Sequence, residues 1–508
     1  MPIFFGAADI FSGFFIFKEA FMQALSDFLL PIVAKINAYM SDYVLIFLLV
    51  GIGLFYTIKT RFVQIRCFGE GMKKVFGNFS LKGGKGKGGL SSFQALATAI
   101  AAQVGTGNIV GACGAILVGG PGAIFWMWLI AFFGMATIYA EAVLAQETRI
   151  VKEDGSVLGG PVYYIKKAFN NGFGKFLAVF FAIALTLALG FMGAMVQSNS
   201  IAGSISNAVS AAVPSLTMDI GWIVGLVLAA LCAFIFLGGV QRIASVAEKI
   251  VPIMAALYIV VGLVVLVLNA TAVPATFALI FKSAFVPQAI LGGVFGAGIK
   301  AAISQGAKRG LFSNEAGMGS TPHAHAQAKV EKPHDQGVVA MIGVFIDTFV
   351  VLTITALVVI STLYVGEGPL SGFVNINADT AALAGIDKNN LMQTALGQVF
   401  GNLAGNLLVA VCLTFFAFTT IISWNFFGKQ NVEYLFGAKK AKVATLVYSV
   451  LAVGFIFLGS CLKSDLVWEL TDMFNNIMVI PNVIALAALS GIVVVAVKSG
   501  KKKKDKKK

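Results

Sequence analysis

Runs of about 20 apolar residues recur along the chain, separated by short stretches that are basic or rich in small residues. A run of that length crosses a hydrocarbon core of ~30 Å as a helix. The pattern predicts eleven spans, lettered A to K, at about 43–60, 91–118, 122–147, 175–205, 220–239, 246–268, 288–310, 336–362, 396–427, 443–461 and 467–497. The segment 1–42 has no basic flank before its first apolar run and carries Asp9, Lys18 and Glu19. This argues against a cleaved signal peptide, and the segment reads as interfacial.

Spans B and G differ from the rest because glycine interrupts each of them, at Gln103-Val-Gly-Thr-Gly-Asn108 and at Gly292-Gly-Val-Phe-Gly-Ala-Gly298. The two breaks lie five spans apart. The chain then divides into a peripheral helix and basic loop (43–90), a first half (91–268), a second half (288–497) and a lysine-rich tail (498–508). Each half opens on a broken helix, and the first half has an odd number of spans, B to F, so the halves run with opposite topology. Paired breaks in opposed halves point to a solute site near the bilayer midplane of a secondary transporter.

Composition agrees with this reading. Of the residues, 58% are hydrophobic and 12% charged, against roughly 25% charged in an ordinary soluble domain. The 56 glycines lie mostly within apolar segments, where small residues let helices approach closely. The net charge of +14 sits largely in alternate loops, which predicts a cytoplasmic C-terminus by the positive-inside rule. Lys308 and Arg309 are counted among those cytoplasmic loop charges. The charge is thus a topology signal, and no nucleic-acid partner is expected. The lysine tail reads as an anchor at an anionic leaflet. Five widely spaced cysteines (Cys67, Cys113, Cys232, Cys412, Cys461) give no disulfide framework.

A break within a membrane helix frees N–H groups at one half-helix end and carbonyls at the other. The N–H groups of Gly105, Thr106 and Gly107 suit a carboxylate, and the carbonyls of Ala101, Gln103 and Val104 suit a small cation. Gln103 and Thr106 add side chains for a solute, and Asn108 adds one for sodium. Span B carries no acid or base, which favours a small neutral or zwitterionic solute. Thr419 and Thr420 offer hydroxyls to a hard cation, or else bond back to their own helix. Trp424, one turn on, walls a pocket or packs.

Asp347, buried in span H, binds a cation or pairs with a base. Glu141 is placed near the cytoplasmic end of span C, solvated or paired. The segment Arg309–His323, with Asn314 and Glu315, reads as a gate or a hinge. The three histidines (His323 within it, His325 and His334 just beyond) have no neighbouring cysteine in sequence, and no zinc site, cofactor or enzymatic activity is expected. No phosphate-binding loop, nucleophile elbow or HExxH motif occurs.

The segment Gly119-Gly-Pro-Gly-Ala-Ile-Phe-Trp-Met-Trp-Leu-Ile-Ala-Phe-Phe-Gly134 resembles the signature of the alanine or glycine:cation symporter family. Ser92-Phe-Gln-Ala95, Val104–Ile109, Gly159-Gly-Pro161, Tyr163-Tyr-Ile165, Phe312–Gly317 and Val344–Thr348 extend the likeness over roughly 43–495. The resemblance implies an all-α, leucine-transporter-like fold with a five-plus-five inverted repeat. It also implies sodium-coupled, or else proton-coupled, uptake of alanine or glycine across a prokaryotic plasma membrane.

Carried onto this chain, the resemblance puts sodium on the carbonyls of Ala101 and Val104 and the hydroxyls of Thr419 and Thr420. It puts Gly105 and Gly107 against the substrate carboxylate, with Gln197, Phe295, Gly296 and Trp424 around the pocket. The chain departs from the family at Asn425-Phe-Phe-Gly-Lys429 and at Gly193-Ala194. An uncoupled amino-acid permease on the same fold and a channel built on the same breaks are the remaining alternatives; oligomeric state stays open.

Overall fold

The computed structural model describes residue 24 and residues 26–77, 90–216, 218–285, 297–371, 385–462 and 464–501. Among them eight helices are long and apolar enough to cross a membrane, and the bent pair Ser92–Gln103 and Gly107–Gly119 makes nine. Two expected spans fall outside that group. Span E is the 16-residue helix Gly221–Phe236, and the described part of span G, Ala297–Asn314, carries Lys300, Lys308 and Arg309. Large apolar side chains such as Phe47, Phe234, Leu237 and Val267 point outward, as a lipid-facing surface requires. The chain is an all-α, multi-pass integral membrane protein.

The elements that build the site are α1 (Ile46–Lys59), α2 (Phe68–Phe76), α3 (Ser92–Gln103), α4 (Ala112–Gly119), α5 (Ala123–Thr148) and α6 (Ala194–Ala212). They are followed by α7 (Gly239–Leu268), α8 (Ala297–Asn314), α9 (Pro322–Ala326) and α10 (Pro333–Val344). The last are α11 (Asn402–Phe436), α12 (Ala441–Ser460), α13 (Ser464–Ala488) and α14 (Ser490–Lys501).

Local sequence sets their ends. Ser91 starts α3 with a reciprocal cap, its Oγ accepting from Gln94 N and its own N–H donating to Gln94 Oε1, each at 3.0 Å. Pro333 opens α10, where its missing N–H costs nothing. Helix α5, which carries most of the signature segment, lies between α10 and α8 and also contacts α1. Helix α3 packs against α7 and α11, and α6 against α11 and α12.

One expectation falls largely outside the described residues, and another changes. The break in span G near Gly292–Gly298 falls largely on residues outside the described ones. Within the described residues that helix is interrupted further along, between Asn314 and Pro322, where Glu315, Gly317 and Gly319 take positive φ of 57°, 90° and 83°. The segment expected to be a gate is therefore itself a break. Its neighbour Gly134 explains one signature glycine: a Cβ there would stand 3.0 Å from Ala316 Cβ.

Lys308 and Arg309 are also not loop charges. Both lie buried on α8 and share Asp472 of α13, at 2.8 Å and 3.2 Å, with Glu469 3.3 Å from Lys308. The Arg309 guanidinium lies over Trp468 at 4.7 Å. A charged residue in an apolar stretch looks like the end of a span, but here carboxylates on a facing helix accommodate it.

Removing one partner of a buried ion group strands the others. Asp472→Ala should lower the unfolding free energy by roughly 3–5 kcal/mol, seen as a fall in thermal midpoint in detergent, and Asp472→Glu should recover part of it.

Candidate functional site

Helices α3 and α4, with the π-helical turn Gly107–Gly111 before α4, are bent by 47° at their junction. Val104 leaves the helix with ψ of 89°. Every residue from Ala101 to Gly111 is buried, so each exposed backbone group there needs a partner inside the protein.

The partners are side chains from other helices. Gln197 of α6 accepts from Thr106 N at 3.1 Å and from Thr106 Oγ1 at 2.5 Å. Asn108 Oδ1 accepts from Gly105 N at 3.0 Å. Asn108 Nδ2 donates to Asp347 Oδ1 at 2.6 Å and to the Asp347 carbonyl at 3.2 Å. Thr420 Oγ1 donates to the Ala101 carbonyl at 2.9 Å. Gln103 Nε2 donates to the Asn314 carbonyl at 2.7 Å. The two breaks are thereby joined directly.

Asp347 sits in the π-helical turn Phe345–Leu352. Besides Asn108 it accepts from Ser313 Oγ and Thr348 Oγ1, each at 2.8 Å. Glu315 accepts from Trp424 Nε1 at 2.6 Å and from Ser320 Oγ. Glu141 accepts from Gly317 N at 3.1 Å, Gly319 N at 3.0 Å and Asn482 Nδ2 at 2.6 Å. It is fully buried, so the reading of a carboxylate solvated at a helix end does not hold.

These three carboxylates are all buried, and every hydrogen-bond donor named for them is neutral. Among the described residues the ion pairs involve none of the three. A buried carboxylate held by neutral donors keeps a strong demand for a cation or a proton.

Glycine is required where the break meets its neighbours. A Cβ on Gly105 would lie 2.4 Å from Thr420 Oγ1 and 3.2 Å from Gln197 Oε1. One on Gly107 would lie 2.9 Å from the Phe312 ring. Phe312 meets Trp424 edge-on at 5.9 Å, and Trp424 also fills the space beside Gly193.

The expected residues Ala101, Gln103, Gly105, Thr106, Asn108, Gln197, Asn314, Glu315, Asp347, Thr420 and Trp424 thus form one connected cluster. Thr419 is turned into its own helix, donating to the carbonyls of Phe415 and Phe416 at 3.0 Å and 2.9 Å. Phe295 and Gly296 lie outside the described residues. Ser313, Phe312 and Asn482 were not singled out by the sequence reading, and Glu141 was given no place at the site. Glu141 had a usable signal, a lone carboxylate within an apolar span, whereas Asn482 and Ser313 had none beyond polarity.

The Gln197 Nε2 donor and the Gln103 Oε1 acceptor are buried with no hydrogen-bond partner among the described residues. Polar atoms left over in this way at a break suit a polar ligand.

With this geometry in place, the chain can be compared with known proteins. The profile described as "Sodium:alanine symporter family" matches residues 26–508. The chain belongs to the sodium:alanine symporter family. It is 40% identical over 464 residues, 91% of its length and 95% of the other's, to the sodium/alanine symporter AgcS of Methanococcus maripaludis. It is 40% identical over 474 residues, 93% of its length and 92% of the other's, to the putative sodium/proton-dependent alanine carrier protein YrbD of Bacillus subtilis.

The crystal structure of MhsT in complex with L-phenylalanine aligns with a TM-score of 0.56 at 12% identity, covering 81% of this chain and 96% of that one. At that identity the likeness shows the fold, which is of the leucine-transporter type expected. Membership makes this symporter-family chain a cation-coupled amino-acid transporter and not an enzyme.

Gly105→Ala should cut amino-acid affinity at least about 10-fold, the loss that ~1.4 kcal/mol of unrelieved contact produces. Ligand-dependent tryptophan fluorescence or isothermal titration would measure it, with Gly51→Ala, where a Cβ meets nothing within 4 Å, as the control.

Proposed function

We propose that the protein is a sodium-coupled symporter of a small neutral amino acid, alanine or glycine, working by alternating access in the plasma membrane of a prokaryote with its C-terminus in the cytoplasm. The observation that supports this reading is the break at Val104–Asn108, whose own residues are uncharged and which is crowded against Thr420, Gln197 and Phe312. In this reading a substrate carboxylate takes over the Gly105 and Thr106 N–H groups now held by Asn108 and Gln197, and the crowding around the glycines favours a small substrate side chain. Unpartnered Gln197 Nε2 and Gln103 Oε1 supply one further donor and one further acceptor.

Sodium is assigned to the carbonyls of Ala101 and Val104 with the Thr420 hydroxyl, and the Thr420 contact to Ala101 brings two of these oxygens together. Thr419 joins only after a rotamer change. Asn108 acts through position, because it ties Gly105 to Asp347. Sodium entry at the break then orders the same backbone that receives the amino acid. Such coupling is reciprocal, so each ligand raises the affinity for the other by one common factor.

Asp347 favours a second reading, in which its carboxylate carries a proton and the transport is proton-coupled. Proteoliposomes separate the two. Labelled alanine, glycine and serine should accumulate under an imposed sodium gradient with proton gradient collapsed, and Thr420→Val should raise the sodium concentration for half-maximal uptake at least about 10-fold, equivalent to ~1.4 kcal/mol. Accumulation driven by a proton gradient alone, abolished in Asp347→Asn, would establish the second reading instead.

A further inference from the structure

Away from the breaks, three side chains with metal-ligating atoms converge between α2 and the first turn of α10. They are Cys67 just before α2, Glu70 within it and His334 of α10, and their ligand atoms all lie within 4.8 Å of one another. We infer that Cys67, Glu70 and His334 bind a divalent transition metal of the zinc class, which staples the surface helix α2 to α10.

His334 gives the strongest reason. It is 1% exposed, its Nδ1 lies 2.6 Å from the Tyr139 hydroxyl, and its Nε2 has no hydrogen-bond partner among the described residues. Glu70 Oε1 stands 3.5 Å from that Nε2, longer than a hydrogen bond. With the ring proton on Nδ1 donated to Tyr139, Nε2 presents its lone pair toward the cysteine and the carboxylate. A metal-bound imidazole is ordinarily oriented by such a partner on its other nitrogen.

The donor set selects the metal. A thiolate, an imidazole and a carboxylate suit zinc and its neighbours and disfavour magnesium or calcium, which take oxygen ligands. Tetrahedral zinc, with bonds of roughly 2.0–2.3 Å, places neighbouring ligand atoms about 3.3–3.8 Å apart, so side-chain adjustment of about an ångström closes the site. Binding takes the proton from the Cys67 thiol into solvent, and the metal keeps a fourth position for water.

The surroundings are built to hold it. Lys74 pairs with Asp335 at 3.1 Å, giving a second tie between α2 and α10. The end of α14 closes over the imidazole, since Lys332 donates to the Ser499 carbonyl at 2.9 Å and a Cβ on Gly500 would lie 2.3 Å from both Cδ2 and Nε2 of His334. Nothing in the sequence places Cys67 beside His334, because they are far apart along the chain.

The test uses full-length protein in detergent, stripped with chelator and titrated with zinc against a chromogenic competitor, then with cobalt. Wild type should take up one zinc per chain and show the thiolate-to-cobalt charge-transfer band. His334→Ala should weaken zinc binding at least 10-fold, Cys67→Ser should abolish the band, and Glu70→Gln should weaken binding while keeping the band. Zinc should raise the unfolding temperature of wild type and of Glu70→Gln more than that of Cys67→Ser. The inference is overturned if wild type shows no thiolate band, or if zinc affinity is unchanged in both His334→Ala and Cys67→Ser. Monodisperse gel filtration of each variant separates loss of the ligand from loss of the fold.

Discussion

Everything at the centre of this protein depends on keeping backbone amides and carbonyls paired where the membrane supplies no water. An unbroken helix does this for itself. A broken one must borrow partners, and here two breaks borrow from each other: Gln103 reaches the Asn314 carbonyl, and Asn108 reaches Asp347, which in turn holds Ser313 of α8. Gln197 and Thr420 complete the set from α6 and α11. Each borrowed partner couples elements that would otherwise move independently, so ordering one break orders the other.

The second constraint is electrostatic. Glu141, Glu315 and Asp347 occupy the protein interior with amide, hydroxyl and indole donors around them. Such donors lower the cost of burying a carboxylate without cancelling its charge. Carboxylates therefore sit beside the broken backbone, and none of the ion pairs among the described residues involves them. That arrangement suits a molecule whose cargo includes a cation.

The hydropathy pattern made the membrane class, most of the spans and the break at Val104–Asn108 legible, because long apolar runs and clustered glycines are local signals. The interruption that follows α8 was not read as a break for an equally physical reason. Glycines at 292–298 resemble those at 105 and 107, whereas the observed interruption relies on Glu315 in a left-handed conformation beside Gly317 and Gly319. The roles of Asn482 and Ser313 depend on helices meeting across long stretches of chain, which periodicity does not encode. Lys308 and Arg309 misled the charge audit because their partners, Asp472 and Glu469, lie about 160 residues away.

That four-membered charge cluster carries a further consequence. Two cations and two carboxylates sum to zero, so as long as α8 and α13 travel together the membrane potential does no net work on the cluster. A single displaced charge would gain or cost about 2.3 kcal/mol per 100 mV across the full membrane. Electrical neutrality of this part of the scaffold leaves the field to act on charges elsewhere in the protein, the carboxylates at the breaks among them.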